Sequence, residues 1–306
     1  MRSPAQPMAA REFLEDDGLT GPVPWGSHTA ALTTPFVDAY GVVVGVDGSA
    51  SSCRGLRWAA HWADLHRQQM LVIGAVEQAT GRRAVSTRWY RMANTLEREV
   101  AYVAKRYPRL HIDQQTTAGS PARLLAEASR HAWTVVVGSR GLHPGDARGP
   151  SSVSCAAVIG GHCPTVVVPA RLDDVGAHGP VVLGCDGSPD SVEATAFAFA
   201  CAGRLQVPIL VVNTQPHAAA GGDAHIAATL AGFERLYPSV YVRMLRPADS
   251  VVSTLCSAAA NATLIVVSGP SVDVDCGPRP VGRLELLHQA RRPVAFVGAR
   301  GGGCEL

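Results

Sequence analysis

Residues 134–169 read TVVVGSRGLHPGDARGPSSVSCAAVIGGHCPTVVVP, and the chain is best understood outward from this segment. The apolar run Val135–Val137 stops at Gly138 and predicts a strand. A loop rich in glycine and small residues follows, then a helix from Ser152 to Gly160 and a strand from Thr165 to Val168. Glycine lets the backbone approach a ligand closely, and the N–H groups at a helix N-terminus face an anion. The segment therefore predicts a strand–loop–helix unit suited to a phosphate.

Upstream of this segment, strands and helices are predicted to alternate. In order, they are a strand at Val42–Val46, a turn at Gly48–Ser52 that opens a helix, a strand at Met70–Val76, a helix at Arg91–Tyr107, a strand at Leu110–Thr116, and a helix with Ser120 as N-cap and Pro121 in its first turn. This order predicts an α/β fold with a doubly wound parallel sheet, covered by helices on both faces.

The second half of the chain repeats the first. VVLGCDGSPDS at 181–191 echoes VVVGVDGSASS at 42–52, and Arg292–Val297 echoes Cys163–Val168. The offset between the copies falls from 139 to 130 residues, so the second copy has lost about nine residues, chiefly between its second strand and second helix. We predict two tandem modules at 39–170 and 180–299, joined by a linker at 170–179, and a flexible N-terminal arm at 1–38.

Composition limits the classes of function. The chain has 306 residues, 47% of them hydrophobic and 17% charged, and a net charge of +2 with its arginines scattered along the sequence. We therefore expect no nucleic acid and no membrane as partners. The first residues lack the apolar segment of a signal peptide, which predicts a cytoplasmic location. The eight cysteines have no metal-ligand spacing, so we expect structural roles for them and no metal site.

Three predicted strands end on residues suited to a nucleotide. Asp47 ends the first strand, Ala75 and Val76 end the second, and Gly138 ends the fourth. If the first and fourth strands are neighbours, Asp47 and the glycine loop line one crevice at the carboxyl edge of the sheet. The acid can accept from a ribose hydroxyl or an exocyclic amine, and the helix N-terminus at Ser152 can take phosphates.

These motifs resemble those of the universal stress protein family, in a tandem form that covers residues 41–170 and 180–299. They are Val-Asp-Gly-Ser closing the first strand, Val-Gly-Ser-Arg-Gly closing the fourth, and Cys-Pro-Thr-Val-Val-Val on the fifth. The spacing Gly138-x2-Gly141-x9-Ser151-Ser152 matches the family's nucleotide loop with one departure, because Ser151 stands where the third glycine would be. The resemblance implies a Rossmann-like fold in both modules.

The resemblance also implies a binding site for ATP or a related adenine nucleotide in module 1. Carried over residue by residue, it consists of Asp47, Ala75 (or Val76), Gly138, Gly141, Ser152 and Val153. The Cβ of Ser151 would crowd a phosphate, although its hydroxyl can donate a hydrogen bond. Whether Mg²⁺ accompanies the nucleotide is left open. In module 2, Ser268 and Ser271 replace the first two glycines, so we expect a degenerate site there and read Asp186 as an acid that closes a turn.

The predicted function is regulatory and non-catalytic. The protein would bind the nucleotide during a stress response and signal through protein contacts, with its two modules paired through their fifth strands, Thr165–Val168 and Val294–Val297; a homodimer is left open. One alternative is a nucleotide-free protein–protein module of the same fold. Another is a slow ATPase, although no general base or lysine stands out near the loop. The chain contains no G-x4-G-K-[ST], G-x-G-x-x-G or G-x-S-x-G motif at the relevant positions.

Overall fold

The structure of the protein is a computed structural model, which describes residues 40–76, 82–140, 152–172, 179–214, 222–247, 250–269 and 281–298. The predicted arm at 1–38 lies outside these ranges. Module 1 contains β1 (Tyr40–Val46), α1 (Ala50–His66), β2 (Met70–Val76), α2 (Arg82–Arg106), β3 (Ile112–Ala118), α3 (Pro121–Ala128), a 3-10 turn (Ser129–His131), β4 (Ala132–Gly138), α4 (Ser152–Gly160) and β5 (Thr165–Val168). Module 2 contains β6 (Val181–Cys185), α5 (Pro189–Leu205), β7 (Ile209–Asn213), α6 (Gly222–Leu236), β8 (Val242–Leu245), α7 (Val251–Ala258), β9 (Leu264–Ser268), α8 (Val281–Gln289) and β10 (Val294–Val297).

The ten strands form one continuous sheet in the order β3-β2-β1-β4-β5-β10-β9-β6-β7-β8. Neighbouring strands within each module run parallel, and β5 and β10 pair antiparallel at the centre, with Val167 opposite Val294 and Thr165 opposite Phe296. All residues of β5 and β10 are buried, as expected for strands that are covered on both faces. The predicted pairing of the modules through their fifth strands is confirmed.

Successive residues of a strand point to opposite sides of the sheet, so both faces present side chains, and helices cover both faces. Val42 and Val44 of β1 belong to the same core as Leu56 of α1. Gly45, the residue after Val44, faces the other side, where Leu125 of α3 approaches it. The doubly wound α/β fold predicted from the sequence is therefore confirmed.

Several element boundaries differ from the sequence prediction by one to three residues, and the start of α2 differs by more. Helix α2 begins at Arg82, nine residues before the predicted Arg91. Its first turns contain Val85, Ser86 and Thr87, which have weak helix propensity, so the sequence does not predict a helix there. Tertiary structure overrides this weak propensity. As α2 has 25 residues and α6 has 15, most of the deficit in module 2 is in the helix itself rather than before it.

Strand β3 begins at Ile112, two residues after the predicted Leu110. The Leu110 N–H donates to the carbonyl oxygen of Tyr107 at 3.1 Å, so Leu110 closes the turn that follows α2 and is not available to the strand. The predicted bounds of β2, α4 and β5 are correct to the residue.

Three of the cysteines, Cys163, Cys185 and Cys201, are buried among apolar residues, and burial raises the pKa of the Cys201 thiol well above its usual value. These thiols act as small apolar side chains, as predicted. In the described ranges, no three His, Cys, Asp or Glu residues are grouped so that they could hold a metal ion. The helices described by the structure include none that is long and apolar enough to cross a membrane.

An aromatic cluster joins the two modules beside the sheet. The rings of Trp62 and Trp133 stack with centroids 6.4 Å apart, and His66 packs on both, at 4.1 and 5.2 Å. From module 2, Phe197 of α5 lies 5.2 Å from Trp133. Arg204 Nη2, also on α5, donates to the backbone oxygen of His66 at 2.8 Å. Modules 1 and 2 are therefore held together by side chains as well as by strand pairing.

The His66 imidazole is held neutral in this cluster. Its Nδ1 lies 2.9 Å from the carbonyl oxygen of Trp62, which can only accept, so the proton is on Nδ1. Its Nε2 is buried and has no hydrogen-bond partner. Burial is the main cause that lowers the pKa of His66 from 6.5 to about 4, and the positive charge of Arg204 acts in the same direction.

Acid should therefore weaken the fold through His66. Because its pKa is lower in the folded than in the unfolded chain, the unfolded chain binds more protons below pH 6.5, and stability is lost as the pH falls from 6.5 towards 4. We expect the His66 share of this loss to be about 2 kcal/mol between pH 7 and pH 5. Urea unfolding at both pH values should show a correspondingly smaller pH effect in His66→Phe, which keeps an aromatic ring and removes the titration. Equal pH effects in the two proteins would contradict this assignment.

Candidate functional site

The carboxyl edge of β1 and β4 brings the predicted site residues together. Val46, the last residue of β1, pairs with Gly74 of β2, so Asp47 and Ala75 follow at the same level of adjoining strands. On its other side β1 pairs with β4, with Val44 opposite Val136, and β4 ends two residues later at Gly138. The condition set by the sequence, that the first and fourth strands are neighbours, is fulfilled.

Asp47 shapes the turn between β1 and α1. Its Oδ1 accepts from the backbone N–H of Ser49 at 2.9 Å, and Gly48 between them has φ = +84°, a conformation that favours glycine. The Ser49 hydroxyl then caps α1 by accepting from the N–H of Ser52 at 3.1 Å. The Asp-Gly-Ser motif is thus a chain reversal that also starts a helix.

Module 2 has the same turn. Asp186 Oδ1 accepts from the Ser188 N–H at 2.9 Å, and Gly187 has φ = +73°. The interpretation of Asp186 as a turn acid is consistent with this geometry. The same geometry at Asp47 means that its carboxylate has a structural role whether or not a ligand is present.

The chain that leaves β4 is fixed to the start of α1 by two hydrogen bonds. The Ser49 hydroxyl donates to the carbonyl oxygen of Arg140 at 3.2 Å, and the Arg140 N–H donates to the Ser51 hydroxyl at 3.2 Å. The glycine loop therefore begins directly beside the N-terminal turn of α1. Sequence reasoning treated these serines only as N-cap candidates, since a contact between residues about 90 positions apart has no local signal.

Gly138 is required by packing at this point. A Cβ placed on it would lie 2.6 Å from the carbonyl carbon of Ser51 and 2.7 Å from the backbone nitrogen of Ser52. The carbonyl oxygen of Gly138 also accepts from the Ser154 hydroxyl at 2.7 Å, which fixes the first turn of α4 at the end of β4. The first glycine of the predicted nucleotide loop thus lets β4, α1 and α4 meet.

The structure places five of the seven candidate residues at this edge. Asp47 directly follows β1, Ala75 is the last but one residue of β2, and Gly138 ends β4. Ser152 is the first residue of α4, and Val153 follows it half-buried. Gly141 and Ser151 lie outside the described residues. The edge offers a carboxylate, a small side chain and the start of a helix.

Helix α2 borders the same edge. Its Thr95 methyl group would lie 3.5 Å from a Cβ on Gly48, and its Met92 and Leu96 lie against Gly74. Burial, and then the negative charge of Glu99, raise the pKa of the Cys53 thiol in the first turns of α1, which disfavours its nucleophilic thiolate form.

At the corresponding edge of module 2, β9 ends at Ser268 and the next residue, Gly269, is buried. The Gly269 N–H donates to the carbonyl oxygen of Val297 at 2.6 Å, and a Cβ here would lie 2.9 Å from the nitrogen of Gly298. This glycine therefore packs against the end of β10. The predicted replacement Ser271 lies outside the described residues.

Comparisons with known proteins agree on one family. Residues 41–169 match the model of the universal stress protein family. A universal stress protein of Mycolicibacterium smegmatis is 30% identical over 255 residues, which cover 74% of this chain and 86% of the relative. One of Mycobacterium tuberculosis H37Rv is 29% identical over 294 residues, which cover 83% and 96%. A crystal structure of a universal stress protein from Archaeoglobus fulgidus shares the fold with a TM-score of 0.68 at 14% identity, covering 86% of this chain and 99% of that one.

The packing at Gly138 generates a stability prediction. We expect Gly138→Ala to lower the free energy of unfolding by about 1–3 kcal/mol, because the new methyl group meets protein backbone that cannot move aside easily. Gly160→Ala is the matched control, since its Cβ would lie 3.9 Å from the Ala126 Cβ, an ordinary contact. Urea unfolding of protein stripped of any nucleotide measures both. If the two variants are equally stable, the close approach at Gly138 is wrong.

Proposed function

Because this chain belongs to the universal stress protein family, we propose that it is a stress-response protein whose module 1 binds ATP or a related adenine nucleotide at the carboxyl edge of β1 and β4. The observation that supports this most is the convergence of Asp47, the end of β4 and the first turn of α4, tied together through Ser49, Ser51 and Ser154. Such an edge is where open α/β sheets take their ligands.

The nucleoside would lie over the ends of β1 and β2. The Asp47 carboxylate would accept from a ribose hydroxyl or the exocyclic amine, and the backbone at Ala75 would contact the adenine. A carboxylate can accept about four hydrogen bonds, so the turn bond from Ser49 is compatible with a ligand bond. Ala75 has a small, half-buried side chain, which suits a flat ring above it.

The phosphates would lie towards α4. There the N–H groups of Ser152 and Val153 and the helix dipole would favour negative charge, and Gly138 and Gly141 would let the loop approach. We propose that Ser151 contributes its hydroxyl where the family pattern has a glycine. Nothing in this arrangement requires a metal ligand from the protein, so Mg²⁺, where present, would be held by the phosphates.

The competing proposal is a nucleotide-free module of the same fold. Two observations favour it: Asp47 forms the same turn as Asp186, and Gly138 is explained by packing against Ser51. In that case both motif residues would be kept for the fold alone. The experiment below separates the two proposals.

We further propose that residues 39–170 and 180–299 act as a nucleotide module and a supporting module, that the protein works in the cytoplasm, and that it signals through contacts with other proteins. Catalysis is not part of the proposal. Slow ATP hydrolysis by the purified protein, lost in Gly141→Ala, would revise it.

The duplicated turn supplies a matched pair of variants. Asp47→Ala and Asp186→Ala each remove a 2.9 Å turn bond from a serine N–H, and Asp186→Ala also removes a 2.6 Å bond from the Ser188 hydroxyl, so we expect Asp186→Ala to lose at least as much stability as Asp47→Ala. Only Asp47→Ala should lose the nucleotide. The measurement is chromatography of the nucleotide released when each purified protein is denatured, together with titration of the stripped protein with ATP, ADP, AMP and cAMP.

We expect at least a tenfold weaker affinity for the preferred adenine nucleotide in Asp47→Ala and less than a twofold change in Asp186→Ala. Absence of any bound or titratable nucleotide in the unmodified protein would favour the nucleotide-free proposal. Equal losses in the two variants would show that the effect is one of stability and not of binding.

A further inference from the structure

Helix α2 carries a surface that the nucleotide site does not use. Its 25 residues include seven Lys or Arg against two Glu, a net charge of +5, in a chain whose total is +2. Arg88, Arg91 and Lys105 are exposed, and the described residues provide no ion-pair partner for them. Two aromatic side chains, Tyr90 and Tyr102, are 47% and 59% exposed beside them. Seven of the 27 Lys and Arg residues of the chain therefore lie in this one helix, so the cations are less evenly scattered than the sequence analysis expected.

Three of the cationic side chains of α2 form a stripe along one side of the helix. Arg91, Arg98 and Lys105 recur every seven residues, a spacing that places them on the same side of a helix over about 21 Å. Tyr102 lies one turn after Arg98 on this side. The stripe begins near the candidate site, because Thr95, one turn after Arg91, borders Gly48.

Side chains of α1 hold this surface in place. Arg57 Nη2 lies 3.2 Å from Glu99 Oε2, and Arg98 Nη2 lies 3.4 Å from Glu99 Oε1, so one largely buried carboxylate fixes two guanidinium groups. The Arg57 guanidinium also lies over the Tyr102 ring, 4.8 Å from its centre. Arg57, Arg98 and Tyr102 are therefore held in place before any partner arrives.

Module 2 lacks most of these charges, although Lys105 corresponds to Arg235 at the offset of 130 residues, so the fold does not need the charges as a set. Helix α6 contains one Arg against Asp and Glu, a net charge of −1. At the offset of 130 residues, Arg98 and Tyr102 correspond to Ala228 and Gly232. At the offset of 139 residues that applies to α1, Arg57 corresponds to Ala196. A feature present in one copy of a duplicated fold points to a role other than folding.

We propose that the stripe Arg91–Arg98–Lys105, with Tyr102 and Arg57, is a docking surface for an acidic segment of another protein. Exposed Arg and Tyr are the residues that carry most binding energy in protein–protein interfaces. Complementary charge would speed the encounter and select the partner, and Tyr102 would supply the apolar contact. The surface gives a chemistry to the protein contacts proposed above, but it does not require a nucleotide.

An acidic protein fits better than a nucleic acid. The whole chain has a pI of about 8.2, below the value above 9 that is typical of nucleic-acid-binding domains. The exposed Glu97 and the paired Glu99 lie among the cations and would repel a phosphate backbone. The separate carboxylates of an acidic protein segment can each pair with one cation of the stripe, so the Glu residues between the cations do not prevent binding.

The test compares charge reversals on the two modules. Arg91→Glu/Lys105→Glu changes two exposed residues without an ion-pair partner among the described residues. Arg235→Glu/Arg243→Glu is the control, because it makes the same change of net charge at two exposed positions of module 2. The probe is a fluorescein-labelled helical peptide of 20 residues with Glu at seven-residue spacing and Leu beside it, followed by anisotropy without nucleotide. A labelled single-stranded RNA of 20 nucleotides is the second probe.

We expect the peptide to bind the unmodified protein and the module 2 variant within twofold of each other, and the α2 variant at least tenfold more weakly. Tyr102→Ser should also weaken binding, at unchanged net charge. Equal binding by both charge-reversal variants, or absence of peptide binding at low salt, would overturn the proposal. So would tighter binding of the RNA than of the peptide. As no nucleotide is present, failure here is independent of the nucleotide proposal.

Discussion

The antiparallel contact between β5 and β10 determines how the two modules are arranged. A parallel half-sheet that ended at β5 would leave this mostly apolar strand with unpaired backbone groups at its edge. Pairing with β10 buries both edges at once and makes one sheet of ten strands. Because the strands of module 1 run antiparallel to those of module 2, the carboxyl ends of the two sets of strands lie at opposite ends of that sheet. Residues of the module 2 edge therefore cannot complete the site in module 1.

The duplication separates what the fold needs from what function adds. Both modules keep the Asp-Gly-Ser turn, with the same 2.9 Å bond and a glycine at positive φ. These features are explained by chain reversal alone. The glycine loop after β4 and the cationic surface of α2 occur only in module 1, and nothing in the shared fold demands them. The proposed functions accordingly rest on the differences between the modules.

The sequence predicts the strands of module 1 well because they are short, buried apolar runs with clear ends, and the limits of β2 and β5 follow directly from them. It places the start of α2 too late, since Val85 to Thr87 have weak helix propensity and the helix is stabilised by packing of Met92 and Leu96 on β2. The bonds that join Ser49 and Ser51 to Arg140 could not be predicted, because they depend on which loops the folded sheet brings together.

Gly138, the first glycine of the motif, shows why a nucleotide motif supports nucleotide binding less strongly than the sequence alone suggests. Gly138 is needed because the Ser51 and Ser52 backbone would overlap a Cβ, so its presence says little about a ligand. Asp47 is likewise needed by its turn. In module 2, β9 carries Ser268 at the matching position, so the close approach is not a universal requirement of the fold. Module 1 thus keeps β4, α1 and α4 in closer contact than the shared topology requires. A tight, preorganised edge of this kind favours a small ligand, because no binding free energy is then lost to ordering a loop.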